Sequence, residues 1–402
     1  MISGRNIIII SSIDWDFNWQ GPQEIASRLA RSGNRVLFIE NTGVRMPALK
    51  DLSRVKTRFL KWGRGQTKEG FSEVQENLFV YSPLVAPPFG STLRRNLNRK
   101  VFLPAIKKIA DKLEMKDAVI WTFLPTDTAS DIIKLLWDKK NPIIYYVAGD
   151  FDRLVSNVKR LRKSEKEIVG ISNTVLTICR DLSDRYRGSH DKVYTFPYGV
   201  DLFAFRNGVE TRVPESVKSI VDAGLNEERV PLIGYVGAIH RHVNLPMLEE
   251  AARIKKEWQW QFVGPVHSDV TKLEKLPNVS FMGQQTHKDL VHFIDRFDVC
   301  TIPYVKSAYT DTVIPVKLNE YLAMGKPVVA TDIPLVKEFN DVHKVIDICT
   351  NEAGDFVSRI QKYISKKESE KVITRRKEVA SLADWRSRFE SIIDVIGVKE
   401  AQ

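Results

Sequence analysis

Short apolar runs of strand length alternate with stretches of helical pattern along almost the whole chain. That alternation restricts it to α/β architectures, in which parallel sheets are covered by helices. The first unit is complete within forty residues. Asn6 to Ser12 reads as a buried strand and IDWDFNWQG as a loop. Pro22 suits the first turn of a helix, where its missing N–H costs nothing. The helix is expected to reach about Arg31, with Gly33 available to end it, and Val36 to Glu40 is the next strand. After a basic, proline-containing middle segment the alternation resumes. DAVIWTFL, NPIIYYVAG and NTVLTI read as strands, and Thr126–Asp138 and Asn157–Val169 as helices. KVYTFPYGVDLFAF closes the first half, and positions 207–229 read as a linker of weak helical content. A second series opens at VPLIGYVGAIHRHVNLPMLEEAARI and continues through WQWQFVGPV, NVSFMG, FDVCTIPY and KPVVATD. The last segment, DWRSRFESIIDVIG, carries an apolar stripe at helical spacing.

A chain of 402 residues accommodates two domains of about 200 residues each. We expect an N-terminal Rossmann-like domain over 1–205, a second over 206–383, and a C-terminal helix in 384–402 packing back on the first domain. Ligand is expected in a cleft between the two halves, at the carboxyl ends of the strands. No apolar run approaches the ~20 residues that span a bilayer. The opening MISGRNIIIISSIDWD lacks the long apolar stretch and small-residue cleavage site of a signal peptide, so a cytoplasmic location is expected. Cys179, Cys300 and Cys349 follow no metal spacing and read as buried thiols.

The charge is uneven: residues 1–200 carry a net +12 and the remainder a net −1. The stretches DLSRVKTRFLKWGRGQTK and STLRRNLNRK concentrate it. Such patches attract lipid headgroups, acidic glycans or nucleic acid, or are simply solvated. Nucleic acid is not expected, because no nucleic-acid motif accompanies the charge. A peripheral position on the inner face of an anionic membrane surface fits the first half.

The segment richest in chemistry is TDTVIPVKLNEYLAMGKPVVATD. A loop ending at Pro315 leads into a helix bearing Lys317 and Glu320, ended by Gly325. Residues three apart share a helix face. A helix start favours anions, and Lys317 adds a cation there. Glu320 offers two acceptor oxygens, suited to the paired hydroxyls of a ribose. Together they make a nucleotide site, although a Lys–Glu pair at this spacing is, by itself, ordinarily a surface ion pair.

PVKLNEYLAMGKPVVATD resembles the donor-site motif of family 4 glycosyltransferases, which have the two-Rossmann GT-B fold. FPYGVDLFAF, LIGYVGAI, and QFVGP followed by LPNVSFMGQ resemble further segments of that family in the same order. The resemblance runs from Ile7 to about Ile396 and is stronger in the C-terminal half. The opening SSIDWDFNWQGPQEIASRLARSGNRVLFIEN is similar to a subgroup of bacterial surface-polysaccharide synthesis, including teichuronic-acid-type enzymes. The resemblance implies a GT-B protein with two Rossmann-like domains facing each other across a cleft. It implies transfer of a sugar from a nucleoside-diphosphate sugar to a hydroxyl of a glycan or lipid-linked acceptor, with retention, no cofactor and no divalent metal. Glu320 matches the second Glu of the family's E-x7-E pattern and would bind the donor ribose. The first Glu falls at Thr312, so Thr312 and Asp311 are the candidates to contact the transferred sugar. Gly237 matches the first donor-domain loop and Gly283 the nucleotide-base loop. The family's Arg and Lys after that first loop fall at Ala238 and near Val243 and are missing. Arg241, with Lys317, is the candidate replacement for neutralising the diphosphate, and His242 is a weaker one.

In the first half, IIYYVAGDFDRL ends a strand with Asp150 and Asp152. Asp150 is the candidate polar group near the reacting carbon. The same string reads as DxD, a metal signature of the other glycosyltransferase fold, or as carboxylates capping the following helix. In the first loop Asp16, Trp19 and Gly21 are acceptor candidates. Trp15 and Trp19 would stack on a sugar or lipid-linked acceptor, or pack beneath the loop. A nucleotide-sugar epimerase and a non-catalytic sugar-nucleotide-binding protein remain alternatives. A nicotinamide dehydrogenase does not fit, since no G-x-G-x-x-G follows either opening strand. The base, the sugar and the acceptor stay open.

Overall fold

The computed structural model describes residues 2–43, 70–86, 88, 92–155, 157–208, 230–307 and 309–397. The basic stretch at 51–68 and most of the linker segment at 207–229 lie outside them. The chain divides into two compact units. One is Met1–Pro197 with Phe389–Gln402, the other Tyr198–Arg388, so the last helix, Trp385–Ile396, begins in the second and ends in the first.

The first unit is built on eight strands. They are β1 (Asn6–Ile10), β2 (Arg35–Ile39), β3 (Ser72–Gln75), β4 (Leu78–Tyr81), β5 (Val119–Thr122), β6 (Ile143–Val147), β7 (Thr174–Thr177) and β8 (Val193–Thr195). Their order across the sheet is β3-β4-β2-β1-β5-β6-β7-β8. Every neighbouring pair is parallel except β3 with β4. Isoleucines 7 to 10 are at most 1% exposed, as a central strand covered on both faces requires. The βαβ opening takes the expected form, with the helix Gly21–Arg31 between β1 and β2. The hairpin β3–β4 was not expected from the sequence. Its first strand is short, polar and largely exposed, so it has no apolar period, and its turn uses Asn77 at φ 63°.

The second unit contains β9 (Leu232–Val236), β10 (Gln259–Val263), β11 (Val279–Phe281), β12 (Val299–Ile302), β13 (Val328–Thr331) and β14 (Asp347–Cys349). The sheet order is β11-β10-β9-β12-β13-β14, parallel throughout. Counted along the chain this is 3-2-1-4-5-6, the doubly wound order, whose crevice lies where the winding reverses. That point falls between β9 and β12. In the first unit the reversal falls between β1 and β5. Helices start where the sequence supplies caps: Thr126 Oγ1 accepts from Ala129 N–H at 3.2 Å, and Asn244 Oδ1 from Met247 N–H at 3.2 Å. The three cysteines are free and buried.

Packing against β9 is tight enough to exclude even a methyl group. A Cβ on Gly234 would lie 2.0 Å from the ring of Phe297, itself 1% exposed. Gly234→Ala should therefore destabilise the protein by about 1–3 kcal/mol, the usual cost of overpacking, read as a lower urea midpoint at unchanged slope.

Candidate functional site

The loops at the carboxyl ends of β9 and β12 are tied to each other. Asn244 N–H donates to Pro303 O at 2.7 Å and Val305 N–H to His242 O at 2.8 Å. His242 stacks on Tyr309 with centroids 4.2 Å apart. The helix Val316–Ala323 begins beside these loops with Pro315 as its N-cap and no side-chain cap. It is docked on β9 by the buried Tyr321, whose hydroxyl accepts the Val236 N–H at 2.8 Å.

Lys317 stands in the first turn of that helix. Its ammonium donates to the hydroxyls of Tyr235 and Tyr304, both at 2.9 Å. It also lies 4.1 Å and 5.1 Å from the two ring centroids, within cation–π range. Burial pushes the Tyr235 phenol well above its ordinary pKa, so it remains a neutral acceptor. Lys317 makes no ion pair among the described residues. A cation held by neutral oxygens and π faces keeps its charge available to an anion, unlike one cancelled by a carboxylate. Gly237 makes room for it: a Cβ there would sit 2.5 Å from Lys317 Nζ, and the backbone holds φ +129°. The next crossing is as close, for a Cβ on Gly264 would meet the Gly237 carbonyl at 2.2 Å.

Glu320 lies one turn on, 6% exposed, and its Oε1 meets His287 Nε2 at 2.9 Å. His287 comes from the segment after β11. Gly283, at φ +65°, turns the chain there with open space around it. In the turn Thr310–Thr312 the Thr312 hydroxyl donates to Tyr309 O at 3.1 Å, while Asp311 Oδ1 is buried with no hydrogen-bond partner among the described residues. A buried carboxylate oxygen without a donor is costly and calls for one. Arg241 is exposed, its Nε 3.4 Å from His242 Nε2. Burial, then the nearby charge of Lys317, drives the His240 imidazole down to about 4, so it is neutral at pH 7.

Thus Gly237, Arg241, Asp311, Thr312, Pro315, Lys317 and Glu320 all belong to loops or the helix start at one end of the second sheet, and Gly283 leads into the segment that reaches Glu320. Sequence reasoning missed His287, Tyr235 and Tyr304. The two tyrosines read as core residues of their strands, and their hydroxyls gain meaning only when Lys317 folds over them.

The candidates of the first unit look different. In the loop after β1, Trp15 and Trp19 form an edge-to-face pair at 5.5 Å, and Trp15 also packs on Phe38 at 5.1 Å. Trp19 Nε1 donates to Glu24 Oε2 at 2.7 Å. The buried Gln23 side-chain amide lies 3.3–3.4 Å from four carbonyl oxygens of this loop, those of Asp14, Trp15, Phe17 and Asn18. Gly21 is buried at the helix start and Asp16 is exposed. Asp150, 4% exposed, accepts from Arg185 Nη1 at 2.9 Å and Nη2 at 2.8 Å, and from Arg153 Nε at 2.8 Å. Asp152 pairs with Arg162. These arginines engage both carboxylates of the DxD string, and Asp150 is an ion-pair centre.

Residues 230–366, which lie within the second unit, match the family model "Glycosyl transferases group 1". TuaH of Bacillus subtilis (strain 168), named as a glycosyltransferase of teichuronic acid biosynthesis, is 27% identical over 226 residues, which are 55% of each protein. The match thus spans about half the length of that relative. The sucrose-phosphate synthase of Thermosynechococcus elongatus superposes with a TM-score of 0.67 at 15% identity, over 97% of this chain and 98% of that one. Alr3699/HepE of Anabaena, solved in complex with UDP and glucose, gives 0.63 at 14% identity, over 98% and 100%. The fold is GT-B, with two Rossmann-like units in one chain.

The hydrogen bonds from Arg185 and Arg153 hold the Asp150 carboxyl down at about 2, below its ordinary 3.8. A depressed carboxyl stabilises the fold above its unfolded pKa and loses that contribution as pH falls through the folded one. Asp150→Asn should cost about 1–2 kcal/mol at pH 7: it removes the charge-assisted hydrogen bonds, but both arginines are about one third exposed and Arg185 keeps Asp152 at 3.9 Å. The gap between wild type and variant, followed by urea unfolding, should narrow as pH falls from about 4 towards 2.

Proposed function

We propose that the chain is a glycosyltransferase that moves a sugar from a nucleoside-diphosphate sugar to a hydroxyl of a glycan or lipid-linked acceptor in cell-surface polysaccharide synthesis. The observation that carries this reading is the Lys317 ammonium, paired with no carboxylate among the described residues, at the start of the helix Val316–Ala323, which has no side-chain cap. Negative charge develops on the departing diphosphate, and preorganised donors at that position stabilise it. Glu320, held by His287, accepts from the donor ribose. The orphaned Asp311 Oδ1 accepts from a hydroxyl of the transferred sugar. Arg241, exposed on the adjoining loop, adds a second cation, and the segment after Gly283 meets the base. No divalent metal is required by this arrangement. The UDP and glucose bound by HepE support a donor of this class. Retention of anomeric configuration belongs to the same proposal and rests on the family resemblance. In the first unit, the Trp15–Trp19 pair offers the surface for the acceptor.

Glu320→Ala and Lys317→Met should each weaken donor-nucleotide binding by about 10- to 100-fold, the loss of a charge-assisted hydrogen bond. Calorimetry with the best of a UDP-, GDP-, ADP- and dTDP-sugar series measures it, and unchanged affinity in both variants would remove the donor site. Product analysis with and without acceptor separates transfer from epimerisation: an altered sugar nucleotide formed without acceptor would favour the epimerase.

A further inference from the structure

The helical run from Thr92 to Lys112 comprises a short α-helix Thr92–Leu97, a π-helical segment Asn98–Phe102 and an α-helix Leu103–Lys112. Its second half is an ordinary surface helix, with Leu103, Ile106 and Ile109 buried. Its first half is inside out. The residues turned toward the protein are polar: Arg95 grips the buried Asp131 through two hydrogen bonds of 2.8 Å, and Arg99 adds a third at 2.6 Å. Asn98, 3% exposed, exchanges two hydrogen bonds with the backbone of Ala86, at 2.7 Å and 3.0 Å. The residues turned outward at four-residue intervals are apolar: Leu93 is 78% exposed, Leu97 44% and Val101 57%.

A helix in water puts its apolar stripe against the protein and its charges outward. Here an ion pair on a buried carboxylate fixes the opposite orientation, so the exposed stripe is imposed by the fold and not by fraying. Clustered exposed apolar side chains mark a contact surface. Charge identifies the partner. From Thr92 to Lys112 the run holds seven Lys or Arg and one acidic residue, Asp111. Of these, Lys107 pairs with Asp111, while Lys100 and Lys108 are exposed, so cations border the apolar stripe. An apolar stripe bordered by cations is the requirement for lying in the interface of an anionic bilayer, with aliphatic side chains among the acyl chains and ammonium groups at the headgroups.

We propose that the outward face of the helical run Thr92–Lys112, through Leu93, Leu97 and Val101, docks the first unit on an anionic lipid surface. This holds whether or not the donor site is read correctly, since it uses none of that site's residues. The test is flotation of the full chain with vesicles of phosphatidylcholine containing 30 mol% phosphatidylglycerol (about a third of the lipid, a common anionic mimic) and with phosphatidylcholine alone. Binding to the anionic vesicles should be at least about tenfold tighter and should fall with added salt. The triple variant Leu93→Ser, Leu97→Ser, Val101→Ser should lose about tenfold or more of it, with its melting temperature and donor-nucleotide affinity unchanged, because these side chains are exposed. Lys100→Glu with Lys108→Glu should abolish the preference for anionic lipid. Equal binding to neutral vesicles, or full vesicle binding by the triple variant, would overturn the proposal. So would a concentration-dependent dimer in light scattering that the triple variant alone loses, for then the stripe meets a second copy of this chain.

Discussion

The position of one ammonium group organises the second unit. Lys317 fits only because Gly237 lacks a side chain, because Tyr235 and Tyr304 present phenol oxygens at hydrogen-bond distance, and because Tyr321 docks the helix on β9. Each of these conditions reaches further into the fold. Gly237 is followed in space by Gly264, whose backbone crosses too closely for any Cβ. Tyr304 is set by Thr331, which accepts its N–H at 3.0 Å and donates back to its carbonyl at 2.6 Å. Three loops and a helix thus converge on a cation that no carboxylate of the described residues neutralises. A folded protein seldom leaves a partly buried charge without an opposite one unless a ligand supplies it.

The contrast with Asp150 shows why charge saturation separates the two candidate centres. Asp150 is as buried as Glu320, and in sequence it sits as suggestively, after a strand at the mouth of a parallel sheet. Both of its oxygens are engaged by guanidinium groups of its own unit. Its depressed pKa makes it a poor proton acceptor as well as a poor hydrogen-bond partner for anything new. Asp311 is the reverse case: a carboxylate whose buried oxygen has nothing to accept from among the described residues. Of the two, the orphan is the one that a substrate hydroxyl would satisfy.

Much of this was legible in the sequence, for reasons that differ by element. Strands buried on both faces, such as NIIII and PVVAT, announce themselves by apolar run length. The helices after Thr126, Asn157 and Asn244 announce themselves by their caps. The Pro315–Glu320 helix start was legible because helix geometry alone puts Lys317 and Glu320 on one face. What escaped notice depends on contacts between distant segments. His287 reaches Glu320 across thirty-three positions, and no local pattern encodes that. The β3–β4 hairpin escaped because half of it is polar and has one covered face at most.

Reading the basic N-terminal half as a uniform anion-seeking surface also needs refinement. Arg95, Arg99, Arg153 and Arg185 contribute to the net +12, yet each is bound to a buried aspartate of the same unit. Such cations are internal structural elements, and their attraction for an external anion is largely cancelled at close range. Counting charge therefore overstates the electrostatic pull of this unit while hiding its direction. The ion pairs on Asp131 do something a count cannot register: they turn a helix so that Leu93, Leu97 and Val101 point outward. The binding surface is then defined less by how many cations the sequence contains than by which of them the fold has already used to aim the apolar ones.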